Sequence, residues 1–116
     1  MAKQLFLLMM IISSLVVSAK ELYIDAKKGN DQNAGSLSQP LKTIVEAAKR
    51  INADATKETT TIILSEGVYA LTETVVLNNN KFSAENRLII RAEVLPDDPN
   101  WNPQRMPIIT AMIPAT

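Results

Sequence analysis

Cysteine and histidine are both absent from this chain of 116 residues. Without cysteine the chain has no disulfide bond and no thiol nucleophile. Without histidine it also lacks the residue on which Ser-His-Asp and Cys-His nucleophile systems depend, and the common zinc sites are excluded with them. Any chemistry in this chain must therefore use carboxylates, lysine, arginine or tyrosine.

Aromatic residues are scarce, and charge of one sign does not dominate. Aromatic side chains make up 4% of the sequence, and 12 basic residues balance 12 acidic ones. The core must therefore be built from aliphatic side chains. A balanced charge gives no electrostatic reason to expect a nucleic acid or an anionic membrane as a partner, so neither is predicted.

The first residues, Met1–Ala19, are typical of a secretory signal peptide. Lys3 provides the positive start, Leu5–Val17 is apolar apart from two serines, and Val17-Ser18-Ala19 provides a cleavage site. The apolar run is shorter than the roughly 20 residues of a spanning helix, which disfavours an uncleaved membrane anchor. We therefore expect cleavage after Ala19 and a secreted mature chain, residues 20–116, in the periplasm or outside the cell.

The clearest element of the mature chain is an amphipathic helix over Thr43–Asn52. Thr43 and Glu46 have the spacing of a capping box. Four apolar residues follow at helical spacing and form a single stripe: Ile44, Ala47, Ala48 and Ile51. A helix this short is not stable alone, so the pattern predicts that this stripe lies over the apolar ends of strands.

Segments with the composition of short strands surround this helix, and a loop rich in turn residues, Lys27–Gln39, precedes it. The predicted strands are Glu21–Ala26, Thr61–Ser65, Thr74–Leu77, Arg87–Glu93 and Pro107–Ile113. The first three strands after the helix start about thirteen residues apart, at residues 61, 74 and 87, which fits either a sandwich or a β-solenoid. The periodicity leaves these two architectures unresolved.

A series of motifs runs through these elements in a particular order. It consists of Leu22-Tyr23-Ile24-Asp25, Gly29-Asn30-Asp31, Gly35, Pro40–Ile44, Ala47, Ile62-Ile63-Leu64 and Gly67-Val68-Tyr69. In this order the motifs resemble the opening of pectate-lyase-like right-handed parallel β-helix proteins, and Arg87–Ala92 and Pro107–Thr110 resemble the strands that follow. The resemblance implies a mainly β fold: the start of a right-handed parallel β-helix, with the short helix capping its open end.

The resemblance also implies a carbohydrate-directed protein, because full-length relatives include polysaccharide lyases and glycoside hydrolases. A polysaccharide is then the expected partner, and calcium would belong to a longer relative. The relatives take their catalytic and calcium-binding residues from later coils. Residues 20–116 are therefore predicted to be an incomplete domain that expects further coils and is inactive alone. The alternative is a non-catalytic extracellular β-helix that serves as a surface, adhesive or glycan-binding module.

No catalytic, cofactor-binding or metal-binding residue is assigned from the sequence. An EF-hand counted from Asp31 would need glycine and glutamate where Ser36 and Lys42 stand. The segment Asp31–Gly35 is therefore interpreted as an Asx-turn loop.

Other polar groups also have ordinary structural interpretations. Asp97, Asp98, Asn100 and Asn102 lie between prolines and are expected to form a solvated loop. Trp101 could stack on a sugar, but burial against the first coils is expected. The run Asn78–Asn80 is either a solenoid ladder or a polar turn. Nothing in the sequence fixes the separation of three glutamates that could form an acid–base pair: Glu66, Glu73 and Glu85.

Overall fold

A computed structural model describes residues 19–77, 80 and 82–111 of the chain. These residues form a mainly β fold with a single α-helix. The strands are β1 Ala19–Ile24, β2 Thr59–Leu64, β3 Gly67–Leu71, β4 Leu88–Ala92 and β5 Pro107–Ala111; the helix α1 spans Ile44–Ala53, and a 3₁₀ turn spans Pro103–Arg105. Apart from Ala19, the predicted signal peptide lies outside the described residues. Within that part of the chain no helix has the length and apolar character to cross a membrane.

The strands pair into two small parallel sheets. One has the order β1-β2-β4, in which Ile24 lies opposite Leu64 and Leu64 lies opposite Ala92. The other joins β3 to β5 and places Tyr69 opposite Ile109. Because β3 follows β2 along the chain and β5 follows β4, the chain passes through the two sheets in turn.

The predicted strand at Thr74–Leu77 is wrong, and the strand in this region lies at Gly67–Leu71 instead. The segment that was expected to be a strand runs beside α1, where the Asn52 side chain donates a hydrogen bond to the Val76 carbonyl at 2.8 Å. The spacing of about thirteen residues is consequently not a structural repeat. The other strands lie where the sequence predicted them, with small shifts of their ends.

A single aliphatic cluster lies between the helix and the sheets. Ile51 is fully buried, as are Ile24 and Leu41. The complete buried cluster is Leu22, Ile24, Leu41, Ala47, Ile51, Ile62, Leu64 and Tyr69, with Ile44 packed against it. The predicted inward stripe of the helix is thus confirmed.

The outer edge of β1 is closed by the chain that leads into the helix. The Leu41 N–H donates to the Tyr23 carbonyl at 2.9 Å, and the Asp25 N–H donates to the Leu41 carbonyl at 2.8 Å. Leu41 thereby pairs in parallel with Ile24 and fills the core beside it. This side of the fold presents no unpaired strand at that position.

Candidate functional site

The polar loop before the helix is fixed by Asp31 and Arg50. Asp31 Oδ1 accepts from the backbone N–H groups of Lys42 and Thr43 at 2.9 and 3.0 Å, and its Oδ2 accepts from the Thr43 hydroxyl at 2.8 Å. The Arg50 guanidinium donates to the carbonyls of Asp31 and Asn33 at 2.7 and 2.6 Å. The carboxylate in this loop therefore stabilises the fold, in keeping with the structural interpretation of the segment.

The predicted capping box is only half formed. Thr43 Oγ1 accepts from the Glu46 N–H at 3.2 Å, which confirms Thr43 as the N-cap. The Thr43 N–H, however, donates to Asp31, whereas the Glu46 side chain accepts from Arg50 Nε at 3.2 Å. Asp31 of the loop therefore accepts the hydrogen bond from the Thr43 N–H that the capping-box pattern assigns to the Glu46 side chain.

Replacing this carboxylate by an amide, Asp31→Asn, is expected to lower the free energy of unfolding by about 1–2 kcal/mol near neutral pH. The amide NH₂ would have to face either the two backbone N–H donors or the hydroxyl donor of Thr43. Burial raises the pKa of Asp31, but hydrogen bonds from Thr43 and Lys42 and the charge of Arg50 outweigh it, so the pKa lies below its ordinary value. The stabilisation is therefore present above the pKa of the unfolded chain and is lost as the pH falls through the lowered pKa of the folded state.

Denaturant unfolding of the two proteins at a series of pH values measures this effect. The difference between wild type and Asp31→Asn should narrow as the pH is lowered below about 4. A difference that stayed constant down to the acid limit of folding would show that ionisation of Asp31 is not its source.

Three parallel strands end together at one polar corner of the molecule. Since Ile24, Leu64 and Ala92 are in register, the residues that follow the strands stack on one another: Asp25, Ser65 and Glu93. Two backbone hydrogen bonds continue the ladder, from the Ser65 N–H to the Ile24 carbonyl at 2.9 Å and from the Glu93 N–H to the Leu64 carbonyl at 2.8 Å.

A pocket of about 380 Å³ opens at this corner. We call it the corner pocket; its lining is Asp25, Lys27, Lys28, Ser65, Glu66, Glu93, Val94 and Arg105. The Ser65 hydroxyl donates to Glu93 Oε2 at 2.7 Å, and Arg105 Nε donates to Glu66 Oε1 at 3.4 Å. Glu93 is therefore bonded through one oxygen to a hydroxyl group, and Glu66 through one oxygen to a guanidinium group.

Several polar atoms of the corner pocket have no partner within the described residues. Asp25 Oδ1 accepts from the backbone N–H groups of Lys27 and Lys28 at 2.9 and 3.0 Å, which leaves Oδ2 without a hydrogen bond. Four further groups make no hydrogen bond in residues 19–77, 80 and 82–111. They are one oxygen of Glu66, one oxygen of Glu93, and the ammonium groups of Lys27 and Lys28. No group of three or more acidic side chains in these ranges is arranged to hold a metal ion.

Tyr69 does not line the corner pocket, but its hydroxyl links two of the strands that end there. Its side chain is buried, and its hydroxyl lies 2.9 Å from the Ile24 carbonyl and 2.8 Å from the Ser65 carbonyl. Burial raises the pKa of Tyr69 to about 12, and the nearby charges of Asp25 and Glu93 act in the same direction. The hydroxyl therefore remains a hydrogen-bond donor at neutral pH, and this residue of the Gly-Val-Tyr motif has a structural role.

Removing this hydroxyl with Tyr69→Phe is expected to lower the free energy of unfolding by about 1–3 kcal/mol, since two carbonyl groups lose the donor that they share. Equilibrium denaturation measures the loss. Tyr23→Phe provides the matched control, because Tyr23 is only half-buried and its hydroxyl makes no hydrogen bond within the described residues. Equal losses in the two variants would contradict the structural role of Tyr69.

A second pocket, of about 320 Å³, lies between the start of α1 and strand β3. It is lined mainly by aliphatic side chains, among them Ile44, Val45 and Leu71. The backbone N–H groups of Lys42 and Thr43 already donate to Asp31. This groove therefore offers a ligand mostly apolar contacts, and the polar chemistry is concentrated at the corner pocket.

The three glutamates from which an acid–base pair could be formed lie in different parts of the fold. Glu66 lines the corner pocket and Glu73 lines the apolar groove, while Glu85 accepts from the Ser83 hydroxyl at 3.0 Å. The structure instead brings Asp25 and Glu93 close to Glu66. The sequence carried one indication that Asp25 and Glu93 could meet, because both residues stand at or near the ends of predicted strands.

The oxygen-rich segment around Trp101 is an irregular turn. Asp98 Oδ1 accepts from the Asn100 N–H at 2.8 Å, and Asn102 Oδ1 accepts from the Gln104 N–H at 2.9 Å. Trp101 itself is half-buried. Of the run Asn78–Asn80 only the last residue is described, so the alternatives for that run lie outside the described residues.

Comparison with known proteins gives one likeness of fold. No protein-family model and no curated protein matches this chain. A solved structure described as a glycoside hydrolase is similar over 68% of this chain, with a TM-score of 0.54 and 24% identical residues. The match covers 14% of that protein, so the chain spans a small part of its length. At this identity the likeness shows a shared fold, and in the glycoside hydrolase that fold is one part of a longer chain.

Proposed function

We propose that this chain is the N-terminal cap and first coils of a right-handed parallel β-helix in a secreted, carbohydrate-directed protein. The observation that carries the proposal is the parallel register. Strand β4 lies on β2 and β5 lies on β3, so two successive passes of the chain stack in the same order. Stacking of consecutive units onto their neighbours is the defining property of a solenoid.

The side of the fold formed by the helix supports its role as a cap. The first unit of a solenoid must cover an apolar cross-section, and terminal units are therefore atypical. Here Leu41 closes the edge of β1, and α1 places Ala47 and Ile51 in the same buried cluster as Leu22 and Ile24. A single short helix with one apolar stripe is sufficient for this purpose.

The opposite side supports the stacking of further coils. Ile90 continues the column of Ile62, and Ile109 continues that of Tyr69. Ile62 and Tyr69 are 1% and 4% exposed, whereas Ile90 and Ile109 are both 52% exposed. An additional parallel strand on each sheet would cover these two isoleucines as β4 and β5 cover the previous pair.

The carbohydrate-directed role rests on two likenesses of different kinds. One is the fold shared with part of a glycoside hydrolase, and the other is the motif order from Leu22 to Tyr69 that resembles pectate-lyase-like proteins. Export rests on the signal-like segment Met1–Ala19. Hydrolysis or elimination would be performed by residues of the longer protein, with this chain providing its closed end.

The test is to recover the native protein from the producing cells and from their culture medium with an antibody against residues 19–111. Its mass, its N-terminus and its action on acidic and neutral polysaccharides are then measured. We expect a product longer than 116 residues that begins near Lys20 and binds or cleaves a polysaccharide. A native product with Met1 intact and no affinity for any polysaccharide would contradict the proposal.

A further inference from the structure

We propose that the corner pocket binds the hydroxyl groups of a neutral saccharide unit. The inference rests on the proposed carbohydrate-directed function and assigns a binding site within this chain. The volume of about 380 Å³ falls within the usual range for small-ligand pockets, about 300–1,000 Å³. The lining is polar on most sides, which suits a ligand whose own surface carries many hydrogen-bonding groups.

The balance of charge in the corner pocket favours a neutral ligand. Three carboxylates line it, and they are matched by two ammonium groups and one guanidinium group. An anion would meet the carboxylates of Asp25, Glu66 and Glu93, and a cation would meet Lys27, Lys28 and Arg105. A neutral ligand meets neither repulsion because it carries no charge, and the pocket has no excess charge of either sign that would attract an ion instead.

The unpartnered atoms match the hydrogen-bonding capacity of sugar hydroxyl groups. Each hydroxyl donates one hydrogen bond and accepts others, so a polyol requires acceptors and donors side by side. The free oxygens of Asp25 and Glu93 provide acceptors, and the ammonium groups of Lys27 and Lys28 provide donors. Hydrogen bonds to such ionised groups are roughly twice as strong as those between neutral groups.

The site is also well supported from below. The backbone ladder holds Asp25, Ser65 and Glu93 in one stack, and the Ser65 hydroxyl fixes one oxygen of Glu93 at 2.7 Å. The Tyr69 hydroxyl lies within hydrogen-bond distance of the carbonyls of Ile24 and Ser65 and so links the two strands that lead into this stack. The carboxylates are thus positioned by paired strands, which restricts their movement without using all of their acceptor atoms.

The test is an NMR titration of the full chain with neutral oligosaccharides of glucose, galactose, xylose and mannose, and with galacturonate as the anionic comparison. We expect at least one neutral sugar to shift the amide signals of residues 25–28, 65–66 and 93–94. Glu93→Ala should weaken this binding by about tenfold. Asp97→Asn, which lies outside the corner pocket, should leave the affinity unchanged.

Two results would overturn the inference: galacturonate binding in preference to every neutral sugar, or no shift at the corner pocket with any ligand. The proposed function has a separate readout. If the native protein still acted on a polysaccharide when the corner pocket showed no binding, the function would stand and this site assignment would fall. If the native protein had no affinity for any polysaccharide, the proposed function itself would fail.

Discussion

Ile51→Asp is expected to lower the free energy of unfolding of the full chain by roughly 4 kcal/mol or more, or to prevent folding. Ile51 is 0% exposed and lies in the cluster that joins α1 to β1 and β2. A carboxylate at this position would be buried without a partner, and the helix would have to move off the strands to hydrate it. Urea denaturation followed by circular dichroism measures the loss.

Two other substitutions in the same helix serve as controls, because each is expected to lower the stability much less. Ile51→Val removes one methylene group and should cost about 0.5–1.5 kcal/mol. Lys49→Ala alters an exposed residue two positions away and should change the stability by no more than about 0.5 kcal/mol. If Ile51→Asp were as harmless as Lys49→Ala, the helix would not cover the apolar end of the strands.

Gly29→Ala is expected to destabilise the chain by about 3 kcal/mol or more. A Cβ atom at this position would collide with the carbonyl oxygens of Leu41 and Asp25. Both are backbone atoms, so no rotation of a side chain relieves the collision, and the Leu41 carbonyl is the one that accepts from the Asp25 N–H and so holds Leu41 against β1. The loop would have to move, and Asp31 would move with it away from the start of α1.

The matched control for this prediction is Gln32→Ala in the same loop. Gln32 is exposed, so its truncation should change the stability by no more than about 0.5 kcal/mol. Thermal unfolding of both variants beside the wild type makes the comparison. Equal stability of Gly29→Ala and wild type would show that Leu41 does not approach Gly29 as closely as the structure requires.

The helix and most strands could be predicted because their signals are local. Thr43 and the stripe that ends at Ile51 are visible within ten consecutive residues, and the structure confirms both the N-cap and the buried face. The strand predicted at Thr74–Leu77 was wrong for the same reason, because that prediction also rested on a local signal. Its β-branched residues have strand composition, but Val76 is bound by Asn52 of the neighbouring helix. Local propensity does not specify which neighbour a segment meets.

The corner pocket could not be predicted because its residues come from distant parts of the sequence. Asp25, Ser65 and Glu93 meet only when three strands are parallel and in one register, and a single sequence does not specify that pairing. The N-cap Thr43 is confirmed, but the second half of the capping box failed as a prediction for a similar reason. Asp31 stands far from Thr43 along the chain, and the local pattern offered Glu46 instead.

The parallel register of two successive passes is the central claim, and disulfide trapping tests it most directly. The natural chain has no cysteine, so an engineered pair provides the only two thiols. Two double variants place cysteines at opposed positions. Strands β2 and β4 are joined by Thr61→Cys with Ile89→Cys, and strands β3 and β5 by Val68→Cys with Ile108→Cys. A register shift of two residues, Thr61→Cys with Arg91→Cys, moves the Cα atoms beyond the roughly 7 Å limit for a disulfide.

Mild oxidation followed by non-reducing mass analysis of the monomer gives the result. The account predicts that both opposed pairs form an intramolecular disulfide while the folded shifted pair keeps free thiols. Opposed pairs that stayed reduced in a folded protein, or a shifted pair that oxidised as readily, would contradict the stacked parallel arrangement.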